Sequence, residues 1–108
     1  MNVVTDKTFQ TQVLDRSETV PVIVDLWAAW CGPCRVLTPI LEKVVGEVEG
    51  AVELGALDVD KNPQTARAFG VRSIPSVFAF KNGKVVDSFV GARSERAVRK
   101  FVTKLASR

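Results

Sequence analysis

The run of residues 20–26 constrains the fold of this chain more than any other stretch. Its apolar side chains fall on both parities, with Val22, Val24 and Leu26 on one side of a strand and Ile23 on the other. A strand of this kind is buried on both faces, as in the interior of a parallel sheet covered by helices. One residue interrupts the pattern. Asp25 puts a carboxylate in the middle of a strand that has no wet face.

The remaining residues supply the covering layers. Thr5 or Asp6 can cap a short first helix that turns Phe9, Val13 and Leu14 inward. After Cys34, the residues Val36, Leu37, Ile40, Leu41, Val44, Val45 and Val48 recur at helical spacing up to Gly50. Pro39 lies inside that pattern. It removes one backbone donor and is expected to kink the helix without ending it. Residues 52–59 form a second inner strand. Asn62 is expected to cap a short helix with Pro63 in its first turn, closed by Gly70. Residues 77–80 and 84–90 flank Asn82-Gly83, a type I′ hairpin signal, so this pair is antiparallel. Ser94 caps a last helix with the buried stripe Ala97, Val98, Phe101, Val102 and Leu105. The expected class is α/β: a central mixed sheet, parallel strands plus a C-terminal antiparallel hairpin, with helices on both faces. The 108 residues suit one domain spanning 1–108.

Cys31-Gly32-Pro33-Cys34 sits between the buried strand and the start of the long helix. The nucleophile of disulfide exchange is a thiolate, so the attacking cysteine needs a lowered pKa. A helix N-terminus supplies unpaired N–H groups and the positive end of a dipole. At up to about 2 kcal/mol, the dipole alone lowers a pKa by something over one unit. Gly32 lets the chain turn sharply and Pro33 is preshaped for a first helical turn. Cys31 is expected at the exposed tip, as the attacking thiol, with Arg35 as a possible aid. Cys34 is expected one turn deeper, as the resolving thiol. As a purely structural link, a bridge over two residues closes too small a loop to stabilise much.

Asp25 carries the second chemical signal. An ionised, unpaired carboxylate in an apolar strand costs several kcal/mol, so its pKa is expected to rise. A carboxylate titrating near neutrality can accept the Cys34 proton as that thiol attacks. Trp27 is expected to pack beside Asp25, and Trp30, just before the nucleophile, to form a substrate-facing lip. Pro75 reads as a strand-start proline.

Other chemistries are excluded by what the chain contains. It has two cysteines and no histidine, too few ligands for the usual zinc or iron–sulfur site and none for a Cys–His or Ser–His nucleophile. There is no Gly-rich dinucleotide turn, so no cofactor is expected and a separate enzyme must restore the thiols. Net charge is only +3, and Arg93, Arg96, Arg99, Lys100 and Lys104 suit the solvated face of a helix better than a nucleic-acid stripe. No stretch approaches the roughly 20 apolar residues of a membrane span. Residues 1–6 lack a basic region followed by an apolar run, which sets the expected location as the cytoplasm, where structural disulfides are rare.

The chain resembles the thioredoxin family along nearly its whole length. Val24-Asp25-Leu26-Trp27-Ala28, Trp30-Cys31-Gly32-Pro33-Cys34-Arg35, Pro39-Ile40-Leu41, Asp58-Val59-Asp60, Ile74-Pro75-Ser76, Phe80-Lys81-Asn82-Gly83 and Val90-Gly91-Ala92 carry the likeness. The resemblance implies the thioredoxin fold, a cis peptide at Pro75 beside the active site, and a buried proton-relay carboxylate at Asp25. It implies a monomeric reductant of protein disulfides, the role that Gly-Pro between the cysteines favours, with thioredoxin reductase as electron donor. It also implies a substrate face of Trp30, Gly32, Pro33, Ile74, Pro75, Gly91 and Ala92, supported by Trp27 and Pro39. Two positions depart from the pattern. Ala56 stands where many bacterial members place a lysine near the Asp, and Ser73 replaces a common glycine. An oxidant or isomerase role and a thiol-independent binding module are the rival readings, separated by a reduction potential and a double Cys-to-Ser variant respectively.

Overall fold

The computed structural model describes residues 1–107. The chain begins with β1 (Asn2–Val3) and a helical segment of wide π-type turns (Gln10–Asp15) that tightens into a 3₁₀ turn (Arg16–Glu18). It continues through β2 (Val22–Trp27), α1 (Gly32–Glu47), β3 (Glu53–Asp58) and α2 (Pro63–Ala68). It ends with β4 (Ser76–Lys81), β5 (Lys84–Val90) and α3 (Glu95–Ala106).

The strands form one sheet in the order β1-β3-β2-β4-β5. β2 is its centre, parallel to β3 from Val22↔Glu53 to Trp27↔Asp58 and antiparallel to β4 from Val22↔Phe80 to Leu26↔Ser76. The alternation along β2 builds two cores. Ile23 faces Leu37, Leu41 and Val44 of α1 and Val98, Val102 and Leu105 of α3. Val22, Val24 and Leu26 face Phe9 and Val13 on the other side, with Phe80. Phe9, Phe69, Phe78 and Phe80 pack there with ring centroids 5.4 to 6.5 Å apart. The α/β class with helices on both faces is therefore observed.

Turn chemistry holds the hairpin. Asn82 and Gly83 both have positive φ, 54° and 76°, as a type I′ turn requires. α1 runs through Pro39 to Glu47. Gly55 is required by close approach, since a Cβ there would lie 2.6 Å from Cγ2 of the buried Val4. Among the exposed ion pairs, Arg99 joins Glu47 of α1 to Glu95 of its own helix, and such pairs contribute little each.

The N-terminal region departs from the sequence expectation in two ways. β1 was not foreseen, because two residues carry no period. Asn62 does not cap α2 with its side chain. Asp6 does so from a distance in sequence: its Oδ1 accepts from the Thr65 N–H at 2.8 Å and the Thr65 hydroxyl at 2.6 Å, and its Oδ2 accepts from the Gln64 N–H at 3.1 Å. Asn62 Oδ1 instead accepts from the Asp6 N–H at 2.9 Å. Thr5 takes the first helical segment, exchanging hydrogen bonds with Thr8. Burial works against the Asp6 carboxylate, but the Thr65 and Gln64 donors outweigh it and hold its pKa below the ordinary value. Asp6→Ala is expected to lower stability by about 1–2 kcal/mol, the usual loss for an acidic cap, as a shifted urea midpoint with unchanged slope.

Candidate active site

Cys31 is the N-cap of α1, with extended backbone (φ −87°, ψ 107°). Its Sγ accepts a hydrogen bond from the Cys34 N–H at 3.2 Å. A backbone N–H freed at the helix start thus points at sulfur, an arrangement that favours a thiolate there. Pro33, which has no N–H to satisfy, stands in the first turn. Cys31 and Cys34 are joined by a disulfide.

The expected exposure of Cys31 is corrected. Cys31 is 3% exposed and Cys34 2%, so in the oxidised form both sulfur-bearing residues are covered. The bond draws the two sulfurs together, and they pack with Ala28 against Trp27, Val59 and Ile74. The exposed surface around them comes instead from Trp30, Gly32 and Pro33.

Ile74–Pro75 is a cis peptide, as the resemblance implied. The Gly91 N–H donates to the Pro75 carbonyl at 2.8 Å, which brings the β5 end to the same rim. Ala92 follows, exposed. Trp30 is 68% exposed, with its indole N–H on Asp60 Oδ2 at 2.9 Å. Asp60 therefore fixes the ring, a role not foreseen. Arg35 donates to the Ala29 carbonyl at 2.7 Å.

Asp25, on β2, is fully buried. Its β3 partner in register is Ala56 and its β4 partner is Val77, neither charged. Oδ2 accepts from the Thr38 hydroxyl at 2.6 Å. Oδ1 is buried with no hydrogen-bond partner. Burial pushes the Asp25 pKa up from 3.8 to about 6, against the Thr38 hydrogen bond and aided by the Glu42 carboxylate. Thr38 could have been found in the sequence, because residues i and i+4 share a helix face and Thr38 is four after Cys34. Trp27, Ala28, Cys34, Thr38, Pro39 and Ala56 line one apolar groove of about 430 Å³. Among the described residues no group of three or more His, Cys, Asp or Glu is gathered to hold a metal, and no helix is long and apolar enough to cross a membrane.

A family model described as Thioredoxin matches residues 1–104. The chain belongs to the thioredoxin family. Thioredoxin of Chlorobaculum thiosulfatiphilum is 46% identical over 98 residues, 91% of this chain and 89% of the relative. Thioredoxin 1 of Nostoc sp. is 47% identical over 89 residues, 82% and 81% of the two chains. Thioredoxin of Rickettsia conorii is 39% identical over 103 residues, 95% and 96%. As a thioredoxin, the chain is a thiol–disulfide oxidoreductase with protein-disulfide reductase activity, and Cys31–Cys34 is its redox pair.

The Asp25 titration has a consequence for stability. Its folded pKa lies above the unfolded one, so no stability is lost below pH 3.8 and the loss grows as pH rises from there through about 6. At about 1.4 kcal/mol per pH unit, the full loss is about 3 kcal/mol. Asp25→Ala is expected to be about 2–3 kcal/mol more stable than wild type at neutral pH, with no advantage at acid pH. Urea unfolding of the oxidised proteins across this range measures the difference.

Proposed function

We propose that Cys31 is the attacking thiol, Cys34 the resolving thiol, and Asp25 the group that takes the Cys34 proton. The Cys31 thiolate attacks a substrate disulfide, forming a Cys31–substrate bond and releasing one substrate thiolate. Cys34 then gives its proton to Asp25 and attacks Cys31 Sγ. The second substrate sulfur leaves, and both leaving sulfurs gain protons from solvent. Two electrons pass from the Cys31–Cys34 pair to the substrate, so atoms and charge balance. The observation that carries this reading is the Cys34 N–H directed at Cys31 Sγ, which favours the thiolate at Cys31 over Cys34. Asp25 suits its role because burial brings it close to neutrality, where a base both accepts and returns a proton.

Substrate contact falls to Trp30, Gly32, Pro33, Ile74, Pro75, Gly91 and Ala92, with Trp27 and Pro39 as support. The outward rim formed by Trp30, Gly32, Pro33 and Ala92 supports this assignment. The partners are proteins carrying disulfides and, for regeneration, a thioredoxin reductase, since the pair ends each cycle oxidised. The protein acts as a monomer in the cytoplasm, where a reducing pool suits a dithiol reductant.

Cys34→Ser is expected to hold substrates as mixed disulfides on Cys31 that dithiothreitol releases. Cys31→Ser should hold none. Adducts that form on Cys34 in Cys31→Ser, and not on Cys31 in Cys34→Ser, would reverse the roles. Asp25→Asn is expected to slow release from the mixed disulfide on the order of 10²-fold at neutral pH, measured by stopped-flow fluorescence, while the first attack is little changed.

A further inference from the structure

A threonine inside a helix ordinarily turns its hydroxyl back to a carbonyl of the preceding turn or out to solvent. Thr103 of α3 does the former, donating to the Arg99 carbonyl. Thr38 does neither. Its hydroxyl crosses from α1 to the sheet and donates to Asp25 Oδ2 at 2.6 Å. The other carboxyl oxygen, Oδ1, is buried and has no partner. Strand neighbours do not compete for the carboxyl, because Ala56 and Val77 offer no side-chain donor.

We propose that Thr38 is a positioning residue: its hydroxyl anchors Oδ2 of Asp25 and leaves Oδ1 as the oxygen that takes up and returns the proton. A hydroxyl has one proton to donate. While that proton is on Oδ2, an incoming proton meets less competition at Oδ1. In the protonated acid Oδ2 is then the carbonyl oxygen, still hydrogen-bonded to Thr38, and Oδ1 carries the O–H. On release, the O–H bond at Oδ1 breaks and its electron pair stays with the carboxylate, so the Thr38 contact survives both states. Charges facing Asp25 are few. Glu42, exposed on the same helix, acts to raise its pKa, and neither β3 nor β4 brings a charge opposite it.

This inference rests on the reading of Asp25 as the proton acceptor, and the test separates the two. In the full-length oxidised protein, infrared difference spectra across the Asp25 titration report the carbonyl stretch of the protonated acid. Carboxyl-carbon NMR reports the titration itself. In Thr38→Val the stretch should move to higher frequency, because the carbonyl oxygen loses its hydrogen bond. The titration should rise by roughly one pH unit, as the ionised form loses a donor. Thr38→Ser should restore both, and Glu42→Gln should lower the titration without moving the stretch. Thr38→Ala serves as a second variant with the same expectation as Thr38→Val. An unmoved stretch in Thr38→Val and Thr38→Ala places the proton on Oδ2 and overturns the proposal, as does a shift that Thr38→Ser does not restore. If stretch and titration move as expected, the carboxyl anchor holds. The pH profile of mixed-disulfide release must then follow the titration in every variant. A profile that ignores it overturns the relay role of Asp25, and with it the catalytic use of the anchor.

Discussion

Parallel pairing of Asp25 with Ala56 and antiparallel pairing with Val77 leave the Asp25 side chain one direction to take, into the face covered by α1. The same constraint acts on Ile23, two residues earlier, which enters the core beneath Leu37 and Leu41. β2 is hydrogen-bonded along both edges and covered on both faces, so a shift of register by one residue would carry Asp25 into the Phe9–Phe80 core and Ile23 out of its own. The apolar packing of the sheet thereby fixes the height and direction of the carboxyl. The end of β2 delivers the chain, through Trp27 and Ala28, to the start of α1. Redox pair and carboxylate are held by one strand and the helix that follows it.

The start of α1 shows how little side-chain chemistry the redox pair needs. No histidine is present and Arg35 is engaged with a backbone carbonyl, so the thiolate proposed at Cys31 would rely on the Cys34 N–H and on the dipole of a helix that runs from Gly32 to Glu47. Such donors are fixed by the helix and need no reorganisation as sulfur changes its charge. Burial of Cys31 against Ala28 and Ile74 works the other way, since it disfavours the anion. For the thiolate proposed at Cys31, the helix terminus opposes that cost.

Features with local causes were legible in the sequence. Asn82-Gly83 forced its hairpin through backbone conformation alone, Ser94 caps its helix through the Ala97 N–H, and the two parities of residues 20–26 placed β2 at the centre. The redox pair was legible because strand, tight turn and helix start adjoin in the chain. What escaped was made by residues distant in sequence or short in extent. Asp6 caps a helix 57 residues away, and Asn62, the local candidate, is turned to Asp6 instead. β1 exists because β3 offers an edge. The covering of Cys31 depends on Ile74, which only the folded sheet brings to the helix tip. Thr38 was within reach of the sequence, four residues after Cys34 on one helix face, but a lone threonine there has several common uses and only the position of β2 selects among them.

The Asp25 environment is a balance set by groups of different reach. Loss of hydration acts over the whole carboxyl and is the largest influence. Glu42 adds a like charge from an exposed site, where salt weakens it. Thr38 opposes both at hydrogen-bond range, and because its donor is neutral and partly buried, salt leaves it nearly untouched. A lysine at position 56 would add an opposite charge, which lowers a carboxyl pKa and responds to ionic strength. Alanine there leaves the carboxylate to burial and one hydroxyl. The carboxyl is consequently near half-ionised at about pH 6, where a small change in the charge around it suffices to shift its proton. That sensitivity is what the proton-acceptor role proposed for Asp25 requires.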